Sequence, residues 1–337
     1  MQHVELIDSF TFESGKTLHQ VPVAFSTWGK LNQGADNVIL VCHSLTGNSN
    51  IEEWWPTLIG SKGAFDLANY FVICLNVIGS PYGTLSPLTI NPDTGNRYGS
   101  NFPLPTIRDS INLHKCILDK LQINQVYCAI GASLGGMQVL EWAIQHPDLI
   151  KKIIPIAVGA HHSAWCIGFS EVQYQCIVSD PYWKDGNYDS EIPPKKGLGL
   201  ARMMAMLSYQ SSQAFDSKFN RQINNITNDF EVKAYLGYQE ESFVDRFDAN
   251  CYVTLIKSMD THDIRLPGLT IIETIKHIEQ DALVIGITSD ILYPINEQIF
   301  LSDNLPNSKI VIFDHPHGHD SFLIELPKLN EIIKDWL

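Results

Sequence analysis

Three side chains, far apart in the chain, have the types needed for acyl transfer through a covalent serine. Ser133 sits in Gly131-Ala132-Ser133-Leu134-Gly135, after the apolar run Val126, Cys128, Ile130 and before a helix-like run from Met137 to His146. A strand, a tight turn and a helix in that order need small flanking residues, and they push the serine hydroxyl out where a substrate can reach it. The helix N-terminus beneath favours negative charge near that hydroxyl. A serine hydroxyl is a weak nucleophile at neutral pH. A histidine must take its proton, and a carboxylate must fix the imidazole tautomer and stabilise its charged form. Asp290 follows the continuous apolar run Ala282–Ile287, and His319 follows the run Lys309–Phe313. The chain order is Ser133, Asp290, His319. A turn or helix-cap aspartate is the competing reading for Asp290, and His315 and His317 compete with His319. Gly318 before it and Phe322-Leu323-Ile324 after it favour His319, at a loop-to-helix junction.

An acyl-transfer site also needs two backbone N–H donors for the developing oxyanion. One is expected from Leu134, the residue after the serine. The other is expected from a loop after an early strand, where His43-Ser44-Leu45-Thr46-Gly47 offers Leu45. Gly79-Ser80-Pro81-Tyr82-Gly83 and the long segment through Arg97-Tyr98-Gly99 are rich in Gly and Pro, and read as either functional loops or solvated connectors. His315, His317 and His319 with Asp314 form a tract of metal-ligand types, but no second ligand cluster accompanies it, and no metal is expected. Trp54-Trp55 lacks a basic patch and reads as core or pocket wall.

The elements that must position these groups are legible as alternating patterns. Val4–Phe12 and His19–Thr27 alternate at period two around Gly15, which predicts a hairpin. Asn37–His43, Phe71–Val77, 126–130, Ile153–Val158, Ala282–Ile287 and Lys309–Phe313 read as buried strands. Thr106–Leu121 places Ile107, Ile111, His114 and Leu118 on one helical face. Strands alternating with helices imply a mostly parallel sheet covered on both faces. With the Ser, Asp, His order this predicts an α/β-hydrolase fold. Residues 166–270 show helix-like segments and no clear buried strand. The expected organisation is therefore a core from 1–165 and 271–337, with a helical lid insertion at 166–270.

The chain has 337 residues, 45% apolar and 18% charged, enough for a sizeable core. The net charge of −14 argues against non-specific binding to nucleic acid or an anionic membrane. Seven cysteines, an odd number with no Cys-x-x-Cys pair, read as free thiols in a reducing compartment. The N-terminus lacks the basic and apolar regions of a signal peptide, and no stretch approaches a membrane span, so a cytoplasmic location is expected.

Taken together, the motifs resemble those of the homoserine O-acetyltransferase family of α/β-hydrolase-fold acyltransferases. They include His43-Ser-Leu-Thr-Gly47, Gly79-Ser-Pro-Tyr-Gly83, Asn91-Pro-Asp-Thr-Gly95, Tyr98-Gly-Ser-Asn-Phe-Pro103 and Gly131-Ala-Ser-Leu-Gly-Gly-Met-Gln138 with Leu140-Glu-Trp142. Ala201-Arg-Met203, Arg246-Phe-Asp-Ala-Asn250, Met259-Asp-Thr-His-Asp263, Ser289-Asp-Ile-Leu-Tyr293 and Gly318-His-Asp-Ser-Phe-Leu323 continue the resemblance almost end to end. The resemblance implies a ping-pong acetyl transfer from acetyl-CoA, as co-substrate, to the hydroxyl of L-homoserine, in methionine biosynthesis. No cofactor is permanently bound in this reading. It assigns Ser133 as nucleophile, His319 as base and Asp290 as its orienting group. It implies that Arg202 and Asp320 hold the carboxylate and the ammonium of the acceptor, and it implies a homodimer. L-serine as acceptor, succinyl-CoA as donor, ester hydrolysis and binding on an inactive scaffold are the alternatives. His162–Cys166, Ser179–Pro181 and Phe247–Cys251 resemble the branch found in fungal members, some of which acetylate serine or deacetylcephalosporin C. Gly79–Gly83 stands in place of a Gly-Gly-Cys-type loop, and Gln210 stands where many members carry Arg.

Overall fold

The computed structural model describes residues 2–226 and 228–337. Two strands, β1 (Gln2–Thr11) and β2 (Thr17–Trp28), form the expected antiparallel hairpin, with Gly15 at φ +83° in the turn. β3 (Val38–Cys42) and β4 (Phe71–Leu75) follow, then α1 (Ile107–Lys120), β5 (Val126–Ala132), α2 (Leu134–Gln145) and β6 (Ile150–Ile156). The sheet resumes only at Asp281.

Between β6 and that return lie α3 (Ala164–Val178), α4 (Lys195–Tyr209), α5 (Ser212–Lys218), a two-residue ribbon β7 (Ile223–Asn224) and β8 (Asp229–Phe230), α6 (Glu231–Val244), α7 (Ala249–Asp260) and α8 (Ile271–Ile275). The chain closes with β9 (Asp281–Ile287), α9 (Ile295–Asn304), β10 (Ser308–Phe313), α10 (Ser321–Ile324) and α11 (Leu326–Trp336). The ribbon β7–β8, which pairs only with itself, and a single bridge from Asp263 to His161 interrupt the helices of this middle segment among the described residues.

The main sheet has eight strands in the order β1-β2-β4-β3-β5-β6-β9-β10. β2 runs antiparallel to both neighbours, and the strands from β4 to β10 are parallel. β3, β5, β6 and β9 are buried almost throughout, which is why they read as continuous apolar runs rather than alternating ones. One core lies between the sheet and α1, α2 and the middle helices. The other lies between the opposite face, α11 and the segment around Trp55.

One strand differs from its expected bounds. β6 begins at Ile150, opposite Val126, and stops at Ile156 rather than 158. Ala157 takes φ +47° and gives its N–H to Ile285 O, so the extended conformation ends there. The helix α1 begins with a capping box. Thr106 accepts from Asp109 N–H, and Asp109 accepts from Thr106 N–H. Such a cap typically contributes about 1 kcal/mol.

Candidate active site

The turn between β5 and α2 holds Ser133 at φ 57°, ψ −123°. A non-glycine residue there costs on the order of 1–3 kcal/mol and persists only where its surroundings enforce it. They do so here by close approach. A Cβ on Gly135 would lie 2.1 Å from Cys42 O, and one on Gly131 would lie 2.5 Å from the Gly135 carbonyl. The small residues flanking the serine are therefore what let the head of α2 sit against the end of β3. Ser133 N–H donates to Ile156 O at 3.0 Å, and Ser133 O accepts from Met137 N–H at 3.0 Å.

Asp290 follows β9 and His319 follows β10, and these strands are parallel neighbours. Their loops therefore leave the same end of the sheet. His319 Nδ1 lies 2.6 Å from Asp290 Oδ2. Asp290 Oδ1 accepts from the backbone N–H groups of Leu292 at 2.8 Å and Tyr293 at 2.9 Å. Ser289 ties the two loops together. Its hydroxyl donates to His315 O and accepts from Gly318 N–H at 2.9 Å.

The His319 ring is enclosed by aromatics: Tyr293 stacks on it at 5.2 Å, Phe322 meets it edge-on at 5.3 Å and Tyr209 lies at 5.9 Å. Burial lowers the His319 pKa, but the Asp290 carboxylate more than reverses this, with help from Asp320, and the net result is above the ordinary imidazole value. Nε2 of His319 is buried without a hydrogen-bond partner among the described residues. Ser133 and His319 share a cavity, and no hydrogen bond joins them in this state. Such bonds are often long before substrate binds.

That cavity, of about 80 Å³, is also lined by Leu45, Tyr209, Arg202 and Asp320. Arg202 comes from α4. Its guanidinium lies 5.0 Å from the Phe243 ring and 5.9 Å from the Tyr209 ring, and its Nε is buried without a partner. Loss of hydration pushes the Asp320 carboxyl up to about 6, against the pull of His319 and Arg202. Among the described residues no direct ion pair joins Arg202 to Asp320. A cation and an anion facing one small cavity, neither spent on the other, suit a zwitterionic ligand.

The loop carrying Leu45 is anchored at both ends of His43. Nδ1 of His43 is 2.9 Å from Ser44 O, and Nε2 accepts from Val77 N–H at 3.1 Å. Burial pushes His43 down to about 4, which keeps it neutral in that role. Gln138 Nε2 donates to His43 O at 3.1 Å and to Leu134 O at 3.2 Å. One side chain thus bridges the two segments that carry the expected oxyanion donors. Sequence reasoning passed over Gln138, Tyr209 and Tyr293 as individual site residues. The available signal was spacing: Gln138 lies one helical turn beyond Leu134, and Tyr293 lies three residues beyond Asp290.

Other candidates lie elsewhere. Gly79–Gly83 contributes Pro81, Tyr82 and Gly83 to a separate surface groove, and Tyr82 Oη accepts from Arg246 at 2.6 Å. Arg97–Gly99 lines another groove with Asn187 and Asp248. His315 and His317, with Glu325, place three ligand-type atoms within 4.8 Å of one another, and these residues are the ones among those described that could hold a metal. His315 Nε2 already pairs with Glu325 at 3.1 Å. Trp55 is fully buried, and its Nε1–H donates to Phe322 O at 2.9 Å, which supports the segment after His319. All seven cysteines are free thiols. Among the described residues, no helix is long and apolar enough to cross a membrane.

Residues 37–326 match the family model described as alpha/beta hydrolase fold. The homoserine O-acetyltransferase of Salinibacter ruber is 46% identical over 342 residues, covering 100% of this chain and 97% of that protein. This chain belongs to the homoserine O-acetyltransferase family. The Saccharomyces cerevisiae homoserine O-acetyltransferase is 36% identical, with 100% of this chain and 86% of the yeast protein covered. The fungal-like motifs at 162–166, 179–181 and 247–251 therefore do not make the chain more similar to that yeast relative than to the bacterial one. Among solved structures, homoserine O-acetyltransferase from Bacillus anthracis superposes with a TM-score of 0.91 at 25% identity, covering 99% of this chain and 96% of that one. Esterase E22 superposes equally well, with a TM-score of 0.91 at 25% identity and 99% coverage of both chains.

Proposed function

We propose that this chain moves an acetyl group from acetyl-CoA to the hydroxyl of L-homoserine through an acetyl-Ser133 intermediate. The observation that carries this reading is the single cavity shared by Ser133, His319, Arg202 and Asp320. The full-length similarity to homoserine O-acetyltransferases supports it.

In this mechanism Ser133 Oγ attacks the thioester carbonyl while His319 Nε2 takes its proton. Asp290 holds the imidazolium that forms. The carbonyl oxygen, now negative, sits between the N–H groups of Leu45 and Leu134. The intermediate collapses, the C–S bond breaks, and His319 returns the proton to the departing thiol. L-homoserine then enters with its carboxylate on Arg202 and its ammonium on Asp320. Its hydroxyl gives a proton to His319 and attacks the acetyl carbon. The ester bond to Ser133 breaks, and Ser133 recovers its proton from His319.

Residues 166–270 act as the lid in this reading. Arg202, Tyr209, Phe169 and Met259 from that segment wall the space around Ser133. Excluding water from the acyl-enzyme is what separates a transferase from a hydrolase. The chain works in the cytoplasm as a homodimer, with small molecules as its substrates and no resident cofactor or metal.

CoA release tests the reading, measured with L-homoserine, L-serine or no acceptor for wild type and Ser133→Ala. Release with homoserine far above serine, and lost in Ser133→Ala, is expected. Preference for serine would move the acceptor and keep the mechanism. Ester hydrolysis is the second reading, favoured by the similarity to esterase E22. Release independent of acceptor would establish it.

A further inference from the structure

Ser133 opens on two cavities, and only one of them carries charge. The second, of about 30 Å³, is walled on one side by Phe169, Ile256 and Met259 and carries the uncharged polar side chains Ser170, Gln173 and Ser208 on the other. Leu45 and Tyr209 line both cavities and so stand between them at the serine. Among the described residues, no lysine or arginine lines the second cavity. Its one imidazole is His162, whose Nδ1 lies 3.1 Å from Tyr293 Oη and whose Nε2 lies 3.6 Å from Asp260 Oδ1. His162 is buried and pushed down to about 3, so it stands there as a neutral ring with a carboxyl behind it.

We propose that this second cavity is the acyl pocket, and that Phe169, Ile256 and Met259 restrict the acyl group to a short, uncharged chain. The acceptor needs Arg202 and Asp320, so the acyl chain of the intermediate must occupy other space at Ser133. A water-sized occupant needs roughly 10–15 Å³. A cavity of about 30 Å³ therefore has room for a short acyl chain such as the acetyl methyl, and a longer chain must press on Phe169, Ile256 and Met259. An anionic acyl group would also lose its hydration there, meet no cation, and face Asp260 through His162. Acetyl is thus selected over succinyl by space and by charge together. This inference deepens the transferase reading and rests on it for the donor. Acylation of Ser133 can nevertheless be read without CoA or acceptor.

The test is the pre-steady-state release of nitrophenol from p-nitrophenyl acetate, propionate, butyrate and monosuccinate. In the wild type, acetate should acylate at least about tenfold faster than butyrate, the discrimination a close-fitting wall gives for one or two methylenes. The monosuccinate should be slower still. Met259→Ala should bring butyrate to within a few-fold of acetate and leave the monosuccinate slow. Phe169→Leu, at a less buried position, reads the same ratio if Met259→Ala fails to fold. A flat chain-length profile in the wild type, a fast monosuccinate, or an unchanged ratio in both variants would overturn the assignment. Failure of acetyl-CoA to acetylate homoserine with the ester profile intact would remove the transferase reading and leave the pocket standing.

Discussion

Oδ2 of Asp290 lies 2.6 Å from Nδ1 of His319, and Oδ1 of the same carboxylate is held by two backbone N–H groups. The carboxylate is thus locked before it meets the ring, and it fixes which imidazole nitrogen faces the serine. Asp290→Asn keeps the shape but presents the wrong hydrogen-bonding group. Its kcat should fall by about 10³–10⁴-fold with little change in homoserine KM. Steady-state kinetics beside a thermal melt close to that of the wild type would check this.

Gln138 offers a subtler test. Removing its bonds to His43 O and Leu134 O frees the two segments that carry the expected oxyanion donors. Gln138→Ala should lose about 10–100-fold in kcat for any acyl donor, because misplaced donors weaken the transition state more than binding. Homoserine KM should stay within a few-fold of wild type. A loss confined to KM would mean that Gln138 serves binding and not the oxyanion.

Arg202→Lys should separate the two half-reactions. A lysine keeps the charge but loses the planar fork that grips a carboxylate. Acylation of Ser133 by acetyl-CoA should proceed near the wild-type rate, while homoserine KM rises by about tenfold or more. Rapid-mixing kinetics of each half-reaction would show it.

The pH dependence has a defined sign. Asp320, pushed up to about 6, must be ionised to hold an ammonium, so its contribution is lost as pH falls through that value. His319, raised above the ordinary imidazole value, must be neutral to act as base, so it also fails on the acid side. The acylation half-reaction depends on one of these ionisations and the acceptor half-reaction on both. The acid limb should therefore be steeper for transfer to homoserine than for acylation by a nitrophenyl ester. For stability the sign of the Asp320 contribution is opposite. The folded chain holds a proton there that the unfolded chain releases, so this contribution falls as pH rises from the ordinary carboxylate range through about 6.

Gly135→Ala should not be tolerated. Its Cβ would need the space of Cys42 O, and backbone on both sides leaves nowhere to move. Loss of more than about 3 kcal/mol, read by denaturant titration, is expected.

Much of this was visible in the residues themselves. The apolar runs of β3, β5 and β9 are continuous because both faces of those strands are covered, and that signal needs no partner to be read. Gly131-Ala-Ser-Leu-Gly135 announces its turn because only small residues fit against Cys42 O. Asp290 and His319 could be ordered along the chain, and their approach to 2.6 Å follows from parallel strands delivering both loops to one end of the sheet. Gln138 and Tyr293 carry only the signal of their spacing from Leu134 and Asp290. Their importance lies in contacts made across the fold, to His43 O and to the His319 ring, which no local pattern encodes. The end of β6 was missed for a similar reason, since Ala157 leaves the strand to satisfy Ile285 O.

The central claim is that acetyl passes through Ser133 on its way to homoserine. Intact-protein mass spectrometry after mixing with acetyl-CoA alone, followed by a chase with L-homoserine, tests it most directly. The account predicts one added acetyl group, mapped to Ser133, that disappears on the chase as O-acetylhomoserine forms in equal amount. Formation of O-acetylhomoserine by Ser133→Ala, or an acetyl-enzyme that homoserine clears no faster than water does, would contradict it.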